Sequence, residues 1–445
     1  MKATEATRSL PRRLGVGTAT SVVVANMIGT GIFTLTGFML GHVESGGLVL
    51  LAWVAGGLIA LAGALSYAEL ATMMPHAGGE YVYLREVYGP LPAFLTGWTS
   101  FFVGFAAPIA ATGMAFAAYL GKAGVVPNSR LGDKGIAVAL VVLFTALHYT
   151  GLRWGARVQN LLTALKLVLL GGLIAAGFFA GSGSWAFLNH GSFWNAGRPA
   201  QLGVTLLLAM FAYSGWNAAA YIAEEVRDPA RTLPRSLALG TVVVMALYLL
   251  FNLLLFYAVP AEGLRGVVTV GESAVKRLFS ERAAAGFSLL VSLALLSSLS
   301  AYVLIGPRVY YAMARDGLFF RAAAHVHDRF QTPGYSIVAQ GICAVALVLS
   351  GTFEDLVKYI GFALGVFPWM TIAGLFVLRR RAPNCARPYR VWGYPLVPLF
   401  YLGASAWILV VAFYNSPHTS LAAVVTVLAG IPVYWLTVGR KEQRS

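Results

Sequence analysis

Asn26-Met27-Ile28-Gly29-Thr30-Gly31-Ile32-Phe33 lies in the middle of the first long apolar segment of the chain. Two glycines and a β-branched threonine weaken a helix at this point. In hydrocarbon an unsatisfied backbone N–H or C=O is costly, so a broken helix is tolerated there only if it is buried in protein or lines a cavity. The stretch therefore predicts one half of a binding site.

The composition is that of a helical membrane protein. Of the 445 residues, 58% are hydrophobic and 11% are charged, whereas soluble domains have about 25% charged residues. Apolar runs of about 20 residues, the length a helix needs to cross a bilayer, recur along the chain. The first run is too long for a signal-peptide core and no small-residue cleavage site follows it, so we expect it to stay in the mature protein.

Twelve candidate spans follow one another without a low-complexity linker, which predicts a single transmembrane domain over residues 1–445. They cover approximately residues 14–40, 47–74, 91–120, 136–150, 158–180, 202–223, 233–259, 283–314, 335–350, 356–378, 396–414 and 421–436. The fourth span is short, and a separate helix at 272–280 precedes the eighth.

The distribution of positive charge predicts that both termini are cytoplasmic. With that orientation, 22 of the 32 Lys and Arg residues lie in inner segments, 9 lie in outer loops, and Lys166 lies inside a span. This bias is the positive-inside rule of membrane proteins. It accounts for the net charge of +15, so we expect no nucleic-acid partner.

The sequence has no signature of an enzyme, a metal site or a disulfide framework. Cys343 and Cys385 have no neighbour at redox or metal-ligand spacing. His325 and His327 are two residues apart and cannot share one face of a helix. Because the chain also lacks a nucleophile elbow, an HExxH motif and a P-loop, we expect no catalysis, no cofactor and no metal.

A second interruption, Phe211-Ala212-Tyr213-Ser214-Gly215-Trp216-Asn217, falls in the sixth span. Spans one and six are five helices apart, which is typical of an inverted repeat, here 14–180 and 202–378, with helices 11 and 12 at 396–436. The free amides after a break suit a carboxylate and the free carbonyls before it suit an ammonium group. Two facing breaks would bind an α-amino acid; the alternative is ordinary helix packing at glycines.

Four stretches resemble the amino acid–polyamine–organocation superfamily, and most closely its L-type amino acid transporter branch. They are GTGIF at 29–33, AEL at 68–70 with GGEYVYLREVYG at 78–89, FAYSGWN at 211–217 with EEVRDP at 224–229, and RVYYAMARDG at 308–317. The resemblance implies an all-α polytopic fold with a LeuT-type 5+5 inverted repeat plus two C-terminal helices. It also implies transport of amino acids by alternating access.

The resemblance also implies roles for residues at the two breaks. The substrate carboxylate is held by the amides of Gly29, Thr30 and Gly31, and the amino group by the carbonyls of Met27, Phe211 and Ser214. The side-chain pocket or gate is formed by Phe211, Trp216 and Asn217, and the third-span wall at 105–112 helps to set substrate size. Ser214 stands where a second glycine is common in the L-type branch, which argues against very large substrates.

Lys166 is an intramembrane lysine, and such residues are functional hypotheses by default. We expect it to bind carbonyls of the broken first helix or the hydroxyls of Ser297, Ser298 and Ser300. A lysine at this place in the L-type branch stands where sodium-coupled relatives bind an ion, which implies sodium independence. Three interpretations stay open: a fixed charge that suits exchange, a proton carrier that gives symport, and a snorkelling side chain without a role.

A dense charged stretch at 224–235 follows the sixth span. This stretch could form ion pairs with charged residues of other inner segments, including Glu69 and Arg85. These ion pairs could latch an inner gate. The alternative is a solvated inner surface that obeys the positive-inside rule.

We therefore expect a secondary transporter or exchanger of neutral L-amino acids, because no deep acidic residue in the core spans would meet a cationic side chain. The alternatives are a proton-coupled symporter with a broader or cationic range and, in another class, a non-transporting amino acid sensor, which would usually add a soluble domain. The loop at 121–135 lacks the cysteine with which animal L-type relatives bond a heavy subunit. A bacterial inner-membrane protein without that subunit is expected.

Overall fold

The computed structural model describes residues 10–125, 130–189, 193, 194, 196, 198, 201–267, 269–350, 353–415 and 417–437. Within these ranges the backbone forms helices and turns and no strand, apart from an isolated bridge between Leu14 and Val226. The two chain ends and part of the 121–135 loop, for which we made predictions, lie outside the described residues.

The α-helices are numbered in chain order. They are α1 (Val16–Met27), α2 (Gly31–Val43), α3 (Gly46–Met73), α4 (Glu80–Tyr88), α5 (Pro90–Thr99), α6 (Ala107–Lys122), α7 (Arg130–Tyr149), α8 (Leu152–Ala180), α9 (Leu202–Tyr213), α10 (Ala218–Tyr221), α11 (Pro229–Ala258), α12 (Ala261–Leu264), α13 (Val270–Leu278), α14 (Glu281–Arg315), α15 (Gly334–Ser350), α16 (Phe353–Arg381), α17 (Leu396–Asn415) and α18 (Pro417–Thr437).

Eight segments among the described residues are long and apolar enough to cross a membrane, and three further apolar helices are shorter. The predicted sixth span is one of the short ones. Its helix α9 has 12 residues, which at about 1.5 Å per residue is about 18 Å of helix, whereas the hydrocarbon core is about 30 Å thick. The missing length is taken up by an interruption.

Both predicted interruptions are confirmed. The first apolar segment stops being helical after Met27 and resumes at Gly31, so α1 and α2 form one interrupted span. In the second segment, α9 ends at Tyr213 and residues 214–217 form turns before the four-residue α10. The helices that follow the two breaks therefore differ in length, since α2 has 13 residues and α10 has only four.

Two other helix predictions have different outcomes. The separate helix before the eighth span is confirmed as α13, which ends at Leu278 before α14 begins at Glu281. The fourth span was predicted too short, because α7 already begins at Arg130.

The third span contains an unpredicted π-helical segment, Ser100–Ala106, between α5 and α6. Such segments are rare and frequently lie at functional sites.

Buried ion pairs join helices at the end of the bundle that carries the N-terminal segment. Arg308 of α14 donates from Nε to Glu225 over 2.7 Å, and their side chains are only 1% and 0% exposed. Glu224 accepts from Arg315 at 3.0 Å and from the backbone amide of Leu10 at 3.0 Å. The segment preceding α1 is thus fixed to the residues that follow α10.

The carboxylate of Glu69 belongs to a separate cluster. It accepts from Arg379 at 2.6 Å and from the amide of Val391 at 2.7 Å, and Arg387 approaches to 3.4 Å. Arg85 pairs instead with Asp316 at 2.6 Å. The common latch suggested by the sequence therefore divides into separate clusters, each with its own carboxylate and arginine.

We predict that Arg308→Gln lowers the thermal unfolding temperature strongly. Removing one partner of a buried ion pair leaves an uncompensated charge, which costs about 3–5 kcal/mol. The control is Arg231→Gln, because Arg231 and Asp228 are exposed and 3.9 Å apart. Equal unfolding temperatures for the two variants in detergent would contradict the assigned role of the buried pair.

Candidate functional site between the two helix breaks

The two breaks touch each other directly. Gly215 has a φ of +98°, and a Cβ atom added there would lie 2.8 Å from Cβ and 3.0 Å from the carbonyl carbon of Asn26. A Cβ atom on Gly31 would lie 3.1 Å from Cβ of Ala212. Glycine is therefore needed at 215 both for the backbone conformation and for the close approach of the two segments.

A tyrosine from α11 joins the same two segments. The hydroxyl of Tyr248 lies 2.6 Å from the carbonyl oxygen of Met27 and 3.0 Å from that of Ala212, and its one hydrogen is shared between these two acceptors. The side chain is fully buried. The sequence analysis did not single out Tyr248; the available signal was that a buried tyrosine hydroxyl usually needs a partner.

Backbone amides at the start of α2 face the cavity between the breaks. The Gly29 amide donates to the carbonyl of Met27 at 2.9 Å. The amides of Thr30 and Gly31 donate to no described residue, as expected for the first turn of a helix. All three residues line the cavity, and two of the three predicted carboxylate donors have an unused N–H.

The predicted carbonyl acceptors differ in availability. The Met27 carbonyl already accepts from Tyr248 and Gly29, and the Phe211 carbonyl accepts from the amide and the hydroxyl of Ser214 at 3.2 and 2.7 Å. A carbonyl oxygen has two lone pairs, so both are fully engaged. The Ser214 carbonyl accepts from no described residue. The Ser214 hydroxyl is therefore already used within its own segment, where it donates to the Phe211 carbonyl.

The cavity walls come from several spans. Phe105, Pro108, Ala111 and Thr112 line it from the third span, in agreement with the position of the predicted wall at 105–112. The π-helical segment, α16 and α17 contribute further lining residues. No group of three His, Cys, Asp or Glu side chains in the described part of the chain is arranged to hold a metal ion.

The three predicted side-chain pocket residues all line this cavity. Trp216 is 4% exposed and packs edge-on against the rings of Tyr67 and Tyr401, with centroid distances of 4.8 and 5.6 Å. Phe211 is half-buried. Asn217 donates from Nδ2 to Glu80 at 2.6 Å.

Lys166 reaches the back of the first break from α8. Its Nζ atom donates to the carbonyls of Ile28 at 2.7 Å and Ala25 at 3.3 Å, and to the hydroxyl of Ser298 at 2.8 Å. The Ser298 hydroxyl in turn donates to the Ile28 carbonyl at 2.6 Å. Three acceptors match the three N–H donors of an ammonium group.

Only one of the three predicted serine partners contacts this lysine. Ser297 lies 3.1 Å from the hydroxyl of Thr163, and Ser300 lies 2.9 Å from Nε2 of His148. With 3.6 residues per turn, neighbouring positions on α14 point in different directions, so the three serines reach different partners.

Glu80 is a cavity residue that the sequence analysis missed. It is 5% exposed, lines the cavity, and accepts hydrogen bonds from Tyr67 at 2.8 Å and from Asn217 at 2.6 Å. The expectation of no deep acidic residue concerned the core spans only, and Glu80 brings a carboxylate to the cavity from outside them. The carboxylate arrives from α4, a short helix between two spans, and no sequence periodicity signals that approach.

Two interrupted membrane helices that meet around a cavity are typical of a secondary transporter. The chain belongs to the amino acid permease family, whose model matches residues 14–437.

Three relatives illustrate the similarity. The chain is 31% identical to the mouse (Mus musculus) Asc-type amino acid transporter 1, covering 97% of this chain and 82% of the relative. It is 32% identical to the human (Homo sapiens) b(0,+)-type amino acid transporter 1, with 98% and 90% covered. It is 30% identical to the serine/threonine exchanger SteT of Bacillus subtilis (strain 168), with 98% of both chains covered.

We predict that Gly215→Ala disrupts the site and lowers the unfolding temperature. The added methyl would meet Asn26 and the residue would keep a φ that favours glycine. Gly17→Ala in α1 is the matched control, because an added Cβ there meets nothing within 4 Å. Unfolding of both variants is followed by differential scanning fluorimetry. A Gly215→Ala protein as stable as Gly17→Ala would show that the close contact is not required.

Proposed function

We propose that this protein is a sodium-independent exchanger of neutral L-amino acids that works by alternating access. The observation that carries the proposal is the meeting of two helix breaks around a cavity with unused amides on one break and an unused carbonyl on the other. This arrangement presents donors and acceptors for both ends of a zwitterion without an added charged side chain.

The proposed architecture has twelve spans, cytoplasmic termini and one transmembrane domain. Residues 14–180 and 202–378 form the two inverted repeats, and 396–436 form helices 11 and 12. The interrupted spans α1–α2 and α9–α10 take corresponding places in the two repeats, which supports this assignment.

In the proposed bound state, the amides of Thr30 and Gly31, with the Thr30 hydroxyl, hold the substrate carboxylate, and Gly29 completes this turn. The Ser214 carbonyl receives the ammonium group. The substrate can also replace the Ser214 hydroxyl at the Phe211 carbonyl, because that hydroxyl is a local donor that can rotate away. The Met27 carbonyl becomes available when Tyr248 moves.

Substrates with small to medium neutral side chains fit this proposal. Trp216 is held between two tyrosine rings and narrows one side of the cavity, while the third-span wall bounds another. Two of the relatives are named as an Asc-type amino acid transporter and as a serine/threonine exchanger. We place the protein in a bacterial inner membrane, acting without a disulfide-linked heavy subunit.

The contacts of Lys166 favour exchange over symport through this residue. Its ammonium group has acceptors for all three N–H bonds, two of them carbonyls of the broken first helix. A lysine that stays charged can hold this break in place throughout the cycle and occupies the position that a bound cation would need. Sodium is then not required.

We predict counterflow of radiolabelled alanine into proteoliposomes preloaded with unlabelled alanine. Flux should be unchanged when choline replaces sodium, and external amino acid should be needed for efflux. Binding detected by a thermal-shift screen without any counterflow would contradict the exchanger and favour the sensor.

Lys166→Met should abolish most of this flux, because the Ala25 carbonyl loses the lysine donor at a cost of about 1–3 kcal/mol and the Ile28 carbonyl keeps only the Ser298 hydroxyl. Lys276→Met is the control: Lys276 is 58% exposed on α13 and pairs with Glu281. The two variants are compared for counterflow after matched reconstitution. Full activity of Lys166→Met would exclude a central role for this lysine.

A further inference from the structure

We propose that Glu80 binds and releases a proton during the transport cycle, as a second ionisable group besides Lys166. This inference rests on the proposed transport function and adds a proton site to it. It is drawn from the position of Glu80 in the cavity, its contact with the second helix break and the absence of a basic partner among the residues that face it.

Glu80 is held in place by the loop that precedes it. It is the first residue of α4, and Gly78 and Gly79 before it have φ values of +115° and +53°. The Gly78 amide donates to the carbonyl of Tyr221 at 3.2 Å, and a Cβ on Gly79 would lie 2.7 Å from the Tyr221 ring. The start of α4 therefore packs directly against α10.

The carboxylate links three parts of the fold. Its Oε1 atom accepts from the Tyr67 hydroxyl of α3 at 2.8 Å and from Nδ2 of Asn217 at 2.6 Å. Asn217 is the last residue of the second break, directly before α10. Any movement of α10 relative to α4 during the cycle must therefore change the hydrogen bonding of Glu80.

Glu80 differs from the other buried carboxylates in the described ranges. Those of Glu69, Glu224 and Glu225 each pair with an arginine. The titratable groups that face Glu80 are four phenols, from α3, α4, α10 and α17: Tyr67, Tyr83, Tyr221 and Tyr401. Phenols can donate hydrogen bonds but supply no positive charge to balance a carboxylate.

Burial is the main influence on this carboxyl, which lies on α4, outside the membrane-crossing helices. It raises the pKa of Glu80 from 4.5 to about 7, against the hydrogen bonds from Tyr67, Tyr221 and Asn217, which lower it. With that pKa, about nine-tenths of the side chains are protonated at pH 6 and about one-tenth at pH 8. The proton is therefore available for exchange with the solution near neutral pH.

Proton binding and the position of α10 are linked thermodynamically. Opening of the cavity hydrates the carboxylate and favours loss of the proton, whereas closure of the cavity without a cation favours its uptake. By reciprocity, protonation of Glu80 must favour the closed arrangement to the same extent. A proton taken up at one face and released at the other then accompanies the amino acid.

The direct test uses proteoliposomes that contain the full chain and a pH-sensitive dye in the lumen. The vesicles are preloaded with alanine at pH 8 and placed in alanine solution at pH 6, so that exchange can carry protons down the pH gradient. The lumen should then acidify for the wild type and for Glu86→Gln, which changes an exposed carboxylate on the same helix. In Glu80→Gln the number of protons gained by the lumen per labelled alanine exchanged should fall to the level of vesicles without alanine. Wild-type vesicles that show counterflow without acidification, or Glu80→Gln vesicles that still acidify, would overturn the proposal.

Stability provides a second readout. Because the pKa of Glu80 is raised in the folded protein, its stabilising contribution is complete below about pH 4.5 and is lost as pH rises through about 7. The unfolding temperature of the wild type should therefore fall between pH 6 and pH 8 more than that of Glu80→Gln. Equal pH profiles for these two proteins would contradict a titrating Glu80.

Tyr67→Phe provides a second variant for testing the proton site if Glu80→Gln does not fold. It removes a hydrogen bond that favours the carboxylate, so the midpoint of the pH dependence should move to higher pH. An unchanged midpoint would overturn the proton site. Loss of counterflow in the wild type would instead defeat the exchanger proposal, so the two failures are distinguishable.

Discussion

The contact between the two helix breaks is the constraint on which the rest of the site depends. Backbone groups freed inside a membrane must be buried in protein or face a cavity. Here each break covers part of the other, with Gly215 against Asn26 and Gly31 against Ala212. Tyr248 adds one hydroxyl between carbonyls of both segments. The amides and carbonyl left over line the cavity, so the same contact that makes the breaks tolerable also shapes the site.

The two charged groups at the breaks differ in how they are satisfied. Lys166 has three oxygen acceptors at the back of the first break, and these compensate the charge without an acid. Glu80 reaches the second break and has hydrogen-bond donors but no base. In the proposed cycle, Lys166 keeps its charge and Glu80 exchanges a proton, so these two roles belong to different sites.

The sequence was sufficient to locate both breaks and to place Lys166 against one of them. Glycine and β-branched residues in the middle of an apolar run conflict with a regular helix, and that conflict is visible without coordinates. The choice of Ser298 over Ser297 and Ser300 could not be predicted, because it depends on the rotation of α14 about its axis. The short α9 and α10 were also missed, since apolar runs do not reveal where a helix ends.

Glu80 and Tyr248 were beyond sequence reasoning for a different reason. Both act through contacts between residues far apart in the chain, and neither lies in a pattern that marks a binding site. Glu80 belongs to a motif quoted for its family resemblance, yet its entry into the cavity follows from the packing of α4 against α10. Long-range placement of a single polar side chain leaves no periodic trace in the sequence.

The second broken helix is restrained at two points of unequal strength. Beyond α10, the Glu225–Arg308 pair fixes the chain with full opposite charges in a buried site. At the break itself, the Asn217 amide donates a short hydrogen bond to Glu80 at 2.6 Å and a long one to the Tyr221 hydroxyl at 3.5 Å. Because a neutral carboxyl accepts a weaker hydrogen bond than a carboxylate, protonation loosens this bond while it removes the cost of a buried charge. In the proposed cycle the contact at the break responds to pH, whereas the ion pair beyond it keeps the end of the segment in place.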